Sequence, residues 1–257
     1  MTVSEAVISG VVQGITEFLP VSSSGHLVIL HHYLGIKEPQ ILFDIFLHVG
    51  TLLATVVFFW KDIISIGREG GKLGLLLLTG LVPTGIIGLL LHNFAERSFV
   101  NVHLVGLMLI ITGLWLLAAS IRPGKNLPVK NSRWPGFKFW QALVIGISQG
   151  IAVMPGISRS GATIATGLLC GVEKETAARY SFLLSIPAII GVVLLKLNTG
   201  SIEHINIGIV PLLFGTVTAA VVGFFSIALL LSILKRWKLY VFSIYCFAIG
   251  LAVLIIR

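Results

Sequence analysis

Residues 13–26 read QGITEFLPVSSSGH, and residues 149–163 read QGIAVMPGISRSGAT. Each stretch interrupts an apolar segment, 3–33 or 139–170, with proline, glycine and several serines. Proline and glycine disfavour a continuous helix. Each segment is therefore predicted to form two short helices around a polar break.

The two breaks are copies of one another at an offset of 136 residues. Residues 13–15 recur as residues 149–151, and Ser22, Ser24 and Gly25 recur as Ser158, Ser160 and Gly161. Three long apolar segments follow each break at a similar spacing. Because a repeat at this scale reports a repeated structural unit, we predict one membrane domain over 1–257. It comprises repeat one over 1–121, a linker over 122–138 and repeat two over 139–257.

The composition excludes a water-soluble globular domain. Hydrophobic residues make up 56% of the 257 residues and charged residues only 11%, whereas soluble domains carry about 25% charged residues. Six predominantly apolar segments are candidates for membrane-spanning helices, which need ~20 residues. They are 41–60, 74–91, 104–121, 180–195, 205–234 and 239–256. The sequence thus predicts an all-α integral membrane protein surrounded by membrane lipids.

The net charge of +8 favours an orientation in the membrane over a nucleic-acid partner, which we do not expect. If both broken segments are re-entrant hairpins, thirteen lysines and arginines lie on one side and four on the other. If both broken segments instead cross the membrane completely, ten lysines and arginines lie on one side and seven on the other. Since basic residues collect in cytoplasmic loops, we predict hairpins, with both termini outside. Three crossings per half then make repeat two inverted relative to repeat one.

In this topology one hairpin enters from outside and the other from the cytoplasm, so their polar tips meet inside the membrane. Glu17 and Arg159 lie at those tips. A charged side chain at that depth costs about 2.5–3.5 kcal/mol on insertion scales, which marks both residues as functional candidates. A buried ion pair that only joins the two halves is the structural alternative.

The second tip has the donors that an oxyanion requires. Arg159 offers a planar fork of N–H groups suited to phosphate oxygens. The Ser-Arg-Ser-Gly tip, residues 158–161, puts backbone N–H groups and the N-terminus of the following helix at the same point, which favours an anion. Ser158, Ser160 and Thr163 add hydroxyl donors, although capping of that helix is an alternative role for the serines.

The first tip carries a candidate nucleophile. Ser23 and His26 are three residues apart, a spacing that brings a hydroxyl near an imidazole around a turn. Glu17 is a candidate orienting carboxylate or metal ligand, and Gln13, four residues earlier, shares its helix face. We read the remaining histidines, which lie near span ends, as interfacial; they are His31, His32, His48, His92, His103 and His204. We expect Asp44 to be solvated at a span edge.

Together these motifs resemble the undecaprenyl pyrophosphate phosphatase family, the integral membrane bacitracin-resistance proteins. The resemblance rests on the Gln13-to-Glu17 segment running into Pro-Val-Ser-Ser-Ser-Gly-His, and on Pro-Gly-x-Ser-Arg-Ser-x-x-Thr. It implies hydrolysis of undecaprenyl pyrophosphate to the monophosphate and inorganic phosphate. That reaction recycles the lipid carrier for peptidoglycan synthesis in the bacterial cytoplasmic membrane and gives bacitracin resistance.

The resemblance also implies a divalent cation, Mg²⁺ or Ca²⁺, near Glu17, and an active site that opens to the outer face. Catalytic roles fall on Glu17, Ser23, His26 and Arg159. The expected pyrophosphate-binding residues are Gln13, Ser22, Ser24, Gly156, Ser158, Ser160 and Thr163. The chain departs from the family at Gln13, where many members carry glutamate.

Several choices stay open at this point. The motifs do not decide between a serine nucleophile with histidine as base and a histidine nucleophile. The same inverted repeat with broken helices also suits a secondary transporter or lipid-phosphate flippase. Among partners we expect the polyprenyl pyrophosphate substrate and allow for a homodimer.

Overall fold

The computed structural model describes residues 1–36, 41–68, 71–99, 101–121, 134, 136–198, 208–236 and 239–255. Within these ranges the chain is all helical. The helices of the first half are α1 (Val3–Thr16), α2 (Ser23–Tyr33), α3 (Ile41–Phe58), α4 (Trp60–Arg68), α5 (Lys72–Ser98) and α6 (Val102–Ile121). Those of the second half are α7 (Phe139–Ile151), α8 (Arg159–Leu169), α9 (Lys174–Asn198), α10 (Ile209–Arg236) and α11 (Tyr240–Ile255).

Both predicted breaks are confirmed. The first apolar segment divides into α1 and α2, and the second divides into α7 and α8. The same device starts the second helix of each pair. The Ser22 hydroxyl accepts a hydrogen bond from the N–H of Gly25, and the Ser158 hydroxyl accepts one from the N–H of Gly161. Since serine is a favourable N-cap, the sequence repeat encodes a repeated helix cap, although φ is 72° at Ser22 and −72° at Ser158.

The protein is a multi-pass membrane protein. Of the described helices, four are long and apolar enough to cross a bilayer, and a fifth span is available if α3 and α4 count as one. These two helices are bent by 72° at their junction. The predicted sixth span, α11, has 16 described residues, or about 24 Å at the α-helical rise. The predicted segment 180–195 was too short, because α9 begins six residues earlier at Lys174.

The two halves are interlocked rather than side by side. Helix α1 of the first half packs on α10 of the second, while α7 of the second half packs on α5 of the first. Small residues allow these close approaches. Gly14 of α1 lies against Ala219 and Gly223 of α10, and Gly150 of α7 lies against Pro83 and Ile87 of α5.

An aromatic core lies directly beside the first break. Phe18, which is fully buried, packs edge-on against Phe182 of α9, with ring centroids 5.5 Å apart. Phe59, at the end of α3, lies 5.9 Å from the same Phe182 ring. These contacts join both halves of the chain next to Glu17, so the polar residues of the break sit on a rigid apolar base.

Candidate active site

The two breaks meet, as the sequence predicts. Glu17 ends α1 and Arg159 begins α8, and Nη2 of Arg159 donates to Oε1 of Glu17 at 2.5 Å. The side chains are 6% and 17% exposed, respectively. A second bond holds the guanidinium, whose Nη1 donates to the Ser181 carbonyl at 3.4 Å. Salt screens an ion pair this well shielded less than it screens a surface pair, and removing either partner would leave a poorly solvated charge.

Ser23 is held by Glu17. The backbone turns at Ser22, which has a positive φ of 72°, unusual for a residue other than glycine. This turn sends α2 back past the end of α1, and the Ser23 hydroxyl donates to Oε2 of Glu17 at 2.7 Å. A carboxylate that accepts the proton of a serine hydroxyl is the arrangement that activates a nucleophile.

The other partners of Glu17 come from α1 and α3. Nε2 of Gln13 donates to Oε2 of Glu17 at 3.0 Å, one helical turn away as predicted. Nε2 of His48, on α3, lies 3.6 Å from the same oxygen. Our reading of His48 as an interfacial residue was therefore wrong. No local pattern marks it, since only the packing of α3 against α1 brings it to the site.

His26 does not pair with Ser23, contrary to the hypothesis drawn from their spacing. Nδ1 of His26 donates to the Ser22 carbonyl at 2.7 Å, because a carbonyl can only accept. Nε2 lies 2.9 Å from the hydroxyl of Tyr245 on α11. Glu17 is engaged with Ser23 and Arg159, so it does not orient the imidazole either. Tyr245 was missed, and its sequence context offers no motif.

The hydroxyls of the second tip make internal hydrogen bonds. Ser160 donates to the Leu19 carbonyl at 3.1 Å and so ties the second break to the first. Thr163 donates to the Arg159 carbonyl at 2.7 Å and lies 2.6 Å from the Ser181 hydroxyl. Ser158, Ser160 and Thr163 are at most 1% exposed. In this structure Thr163 bonds to the backbone of Arg159, and Ser158 caps the helix that Arg159 begins. Contact of the three hydroxyls with substrate stays a prediction.

Two other predicted binding residues have structural contacts. Gly156 has a positive φ of 94°, and a Cβ there would lie 2.6 Å from the Val105 carbonyl oxygen of α6. Its own carbonyl accepts from Thr112 at 3.1 Å. The Ser24 hydroxyl lies 3.4 Å from that of Ser22. Asp44 is not fully solvated as expected, because its Oδ1 is buried without a hydrogen-bond partner.

Metal-binding potential centres on Glu17. The described residues contain no group of three His, Cys, Asp or Glu side chains that could hold a metal ion. Oε1 of Gln13 is a buried oxygen that lacks a hydrogen-bond partner, and it belongs to the side chain whose Nε2 contacts Glu17. The protein thus presents the Glu17 carboxylate and, beside it, the Gln13 amide oxygen, which has no hydrogen-bond partner in the structure. Both are oxygen donors of the kind that Mg²⁺ and Ca²⁺ prefer.

Comparison with known proteins places the chain in a family. The family model described as bacitracin resistance protein BacA matches residues 6–252. The chain belongs to the BacA family. This family membership agrees with the resemblance of the two break motifs, and it extends over almost the whole chain.

Curated BacA relatives align along their full length. An undecaprenyl-diphosphatase of Halothermothrix orenii is 41% identical over 264 residues, covering 100% of this chain and 98% of the relative. One from Desulforapulum autotrophicum is 44% identical over 275 residues, covering 98% and 97%. One from Carboxydothermus hydrogenoformans is 42% identical over 259 residues, with the same coverage.

Proposed function

We propose that this protein hydrolyses undecaprenyl pyrophosphate to undecaprenyl phosphate and inorganic phosphate. The hydrogen bond from Ser23 to Glu17, beside Arg159, carries the proposal. The Ser23 hydroxyl, the Glu17 carboxylate and the Arg159 guanidinium lie at one junction, which supports roles for them as nucleophile, base and phosphate-binding group. The full-length relatives are named undecaprenyl-diphosphatases. The activity makes the protein a hydrolase of cell-wall lipid recycling and a source of bacitracin resistance. The flippase alternative is not favoured.

Binding of the pyrophosphate begins with Arg159. The guanidinium moves from Glu17 to the phosphate oxygens, which match its fork of donors. The Glu17 carboxylate loses its guanidinium partner, which leaves Oε1 open for a divalent cation while Oε2 accepts the Ser23 proton. Substrate binding and activation of the nucleophile are thereby coupled through one side chain.

The first chemical step is attack by Ser23 on the terminal phosphorus. The Ser23 proton passes to Glu17, a bond forms between Oγ and phosphorus, and the bond from phosphorus to the bridging oxygen breaks. Undecaprenyl phosphate leaves with the electron pair of that bond. Of the two nucleophiles that the motifs left open, serine is favoured because its proton has an acceptor 2.7 Å away.

The second step hydrolyses the phosphoserine. Nε2 of His26 takes a proton from the attacking water, the water oxygen bonds to phosphorus, and Oγ of Ser23 leaves and recovers the proton held by Glu17. Inorganic phosphate is released, and His26 gives the proton taken from water to the phosphate or to solvent, which restores the starting site. The tautomer fits this role, because Nδ1 carries the hydrogen that is donated to Ser22 and Nε2 is the unprotonated nitrogen, which accepts the water proton once the water replaces the Tyr245 hydroxyl there.

A divalent cation, Mg²⁺ or Ca²⁺, completes the site in this proposal. Glu17 and Oε1 of Gln13 would hold it, while the pyrophosphate and water supply the remaining ligands, as is usual for Mg²⁺. When bound, the cation offsets negative charge on the phosphates. An amide at position 13 gives a site with one negative charge fewer than a glutamate would.

For the membrane arrangement, we propose the inverted repeat with re-entrant hairpins, both termini outside, and a site that opens to the outer face of the bacterial cytoplasmic membrane. The basic loops and the reciprocal packing of α1 on α10 and α7 on α5 support it. A homodimer is compatible with this arrangement. Accessibility labelling of single cysteines at either terminus in intact cells tests the orientation.

A phosphate-release assay tests the function. The purified protein in detergent, with Mg²⁺ or Ca²⁺, should release phosphate from undecaprenyl pyrophosphate, although no membrane separates two compartments. Ser23→Ala and Arg159→Ala should each lower kcat/KM by about 10³-fold or more. Ser120→Ala is the control, since among the described residues that hydroxyl donates to the Leu117 carbonyl of its own helix. Binding of the lipid without phosphate release under either cation would replace the phosphatase with a transporter.

A further inference from the structure

The hydroxyl of Tyr245 reaches the site from the opposite half of the chain. Tyr245 and His26 are 219 residues apart in sequence, yet the hydroxyl lies 2.9 Å from Nε2 of the imidazole. Their rings are also stacked, with centroids 5.7 Å apart and an interplanar angle of 9°. The tyrosine therefore constrains both the hydrogen bonding and the plane of the histidine ring.

The contact defines which nitrogen of His26 carries the lone pair. Nδ1 donates to the Ser22 carbonyl, so Nε2 of the neutral ring is an acceptor. The Tyr245 hydroxyl then donates to Nε2. With both nitrogens bonded, the ring cannot flip or rotate without breaking one of these bonds.

Helix α11 is itself fixed in rotation. The hydroxyl of Ser243 donates to the Gly113 carbonyl of α6 at 2.6 Å. The thiol of Cys246 donates to the Pro20 carbonyl of the first break at 3.6 Å. Both residues are fully buried. The side chain of Tyr245, between these two anchors, is consequently held towards His26 rather than free to turn into the lipid.

We propose that Tyr245 is a positioning residue of the phosphatase reaction. It acts through His26 by holding the imidazole as the Nδ1–H tautomer and keeping Nε2 unprotonated, until the attacking water takes the place of the hydroxyl at that nitrogen. This inference rests on the proposed function, because it assigns Tyr245 to the step in which His26 accepts a proton. A misplaced base costs rate even when the site is otherwise intact.

Steady-state kinetics of Tyr245→Phe test the proposal. Phenylalanine keeps the ring stacking and removes the hydroxyl, so we expect kcat to fall about tenfold with KM unchanged. The phosphoserine should accumulate relative to wild type, since the second step is slowed. Tyr240→Phe is the matched control, as Tyr240 lies on the same helix and is 42% exposed against 41% for Tyr245. It should behave as wild type.

A double-mutant cycle separates positioning from a general structural effect. Because Tyr245 acts through His26, the variant His26→Ala/Tyr245→Phe should be no slower than His26→Ala alone. Independent losses that multiply would overturn the proposal. So would a Tyr245→Phe variant with wild-type kcat in a preparation whose wild type releases phosphate. If the wild type itself releases none, the proposed function has failed instead.

A measurement on the wild-type protein covers the case in which the variant folds poorly. Imidazole ¹⁵N chemical shifts of histidine-labelled protein in detergent, with His26 assigned by its loss in His26→Ala, report the tautomer. We expect a protonated Nδ1 and a hydrogen-bonded, unprotonated Nε2 for neutral His26. A protonated Nε2 with a free Nδ1 would contradict the proposal.

Discussion

The two breaks share a serine helix cap and differ in chemistry. In both, a serine caps the second helix from the same relative position, Ser22 in one and Ser158 in the other. The first break carries the acid–base groups, with Ser23 bonded to Glu17. The second carries Arg159 and uses its hydroxyls to hold that residue. The two copies of the repeat therefore share the serine cap, whereas the groups proposed to react are divided between them.

The strongest test of this division is Glu17→Gln, which removes the base of the first break without changing its shape. We expect kcat for phosphate release to fall about 10³-fold, within the range for loss of a general base. Stability should fall by about 3 kcal/mol, because Arg159 is left as a buried charge without its partner. Activity assays and thermal unfolding in detergent measure the two effects.

The control for this substitution is Asp62→Asn, which breaks another shielded ion pair. Oδ2 of Asp62 lies 3.2 Å from Nη1 of Arg179, and the Asp62 side chain is 6% exposed. This variant should lose stability but keep its activity to within a few-fold. Equal losses of activity in both variants would show that Glu17 acts only through the fold, as in the alternative of a structural ion pair.

A second test concerns the packing of the second break on α6. Gly156→Ala should destabilise the protein by about 2 kcal/mol or more, since the new Cβ meets the Val105 carbonyl and the positive φ disfavours any side chain. Gly171→Ala separates the two causes. Gly171 also has a positive φ, 81°, but open space around it, so it should cost only about 1 kcal/mol. Similar unfolding temperatures for the two variants would contradict the close contact.

The smallest expected effect distinguishes the two caps. Ser158→Gly should lose a few tenths of a kcal/mol, the usual cost of replacing a serine N-cap by glycine. Ser22→Gly should be neutral or stabilising, because glycine adopts the positive φ of 72° without strain. Thermal unfolding of the two single variants provides the comparison. A larger loss at Ser22 than at Ser158 would mean that the turn is not strained.

Interactions along the chain were predictable. Proline, glycine and serine set the two breaks, and the apolar lengths set most of the spans. The four-residue spacing of Gln13 and Glu17 predicted their contact, because side chains one helical turn apart share a face. The spacing of Ser23 and His26 predicted a contact by the same rule, and that prediction was wrong. The turn at Ser22 directs Ser23 towards the preceding helix and His26 towards its own turn's carbonyl.

The sequence by itself determined that this chain is a helical membrane protein with two related polar breaks and the motifs of the BacA family. Only the tertiary structure decided that Ser23 bonds to Glu17, and that His48 and Tyr245 lie beside the reacting groups. The physical reason is that composition and periodicity report interactions between residues that are close together in the chain. Contacts such as that of His26 with Tyr245 arise from how helices pack, and helix packing depends on many small contacts at once.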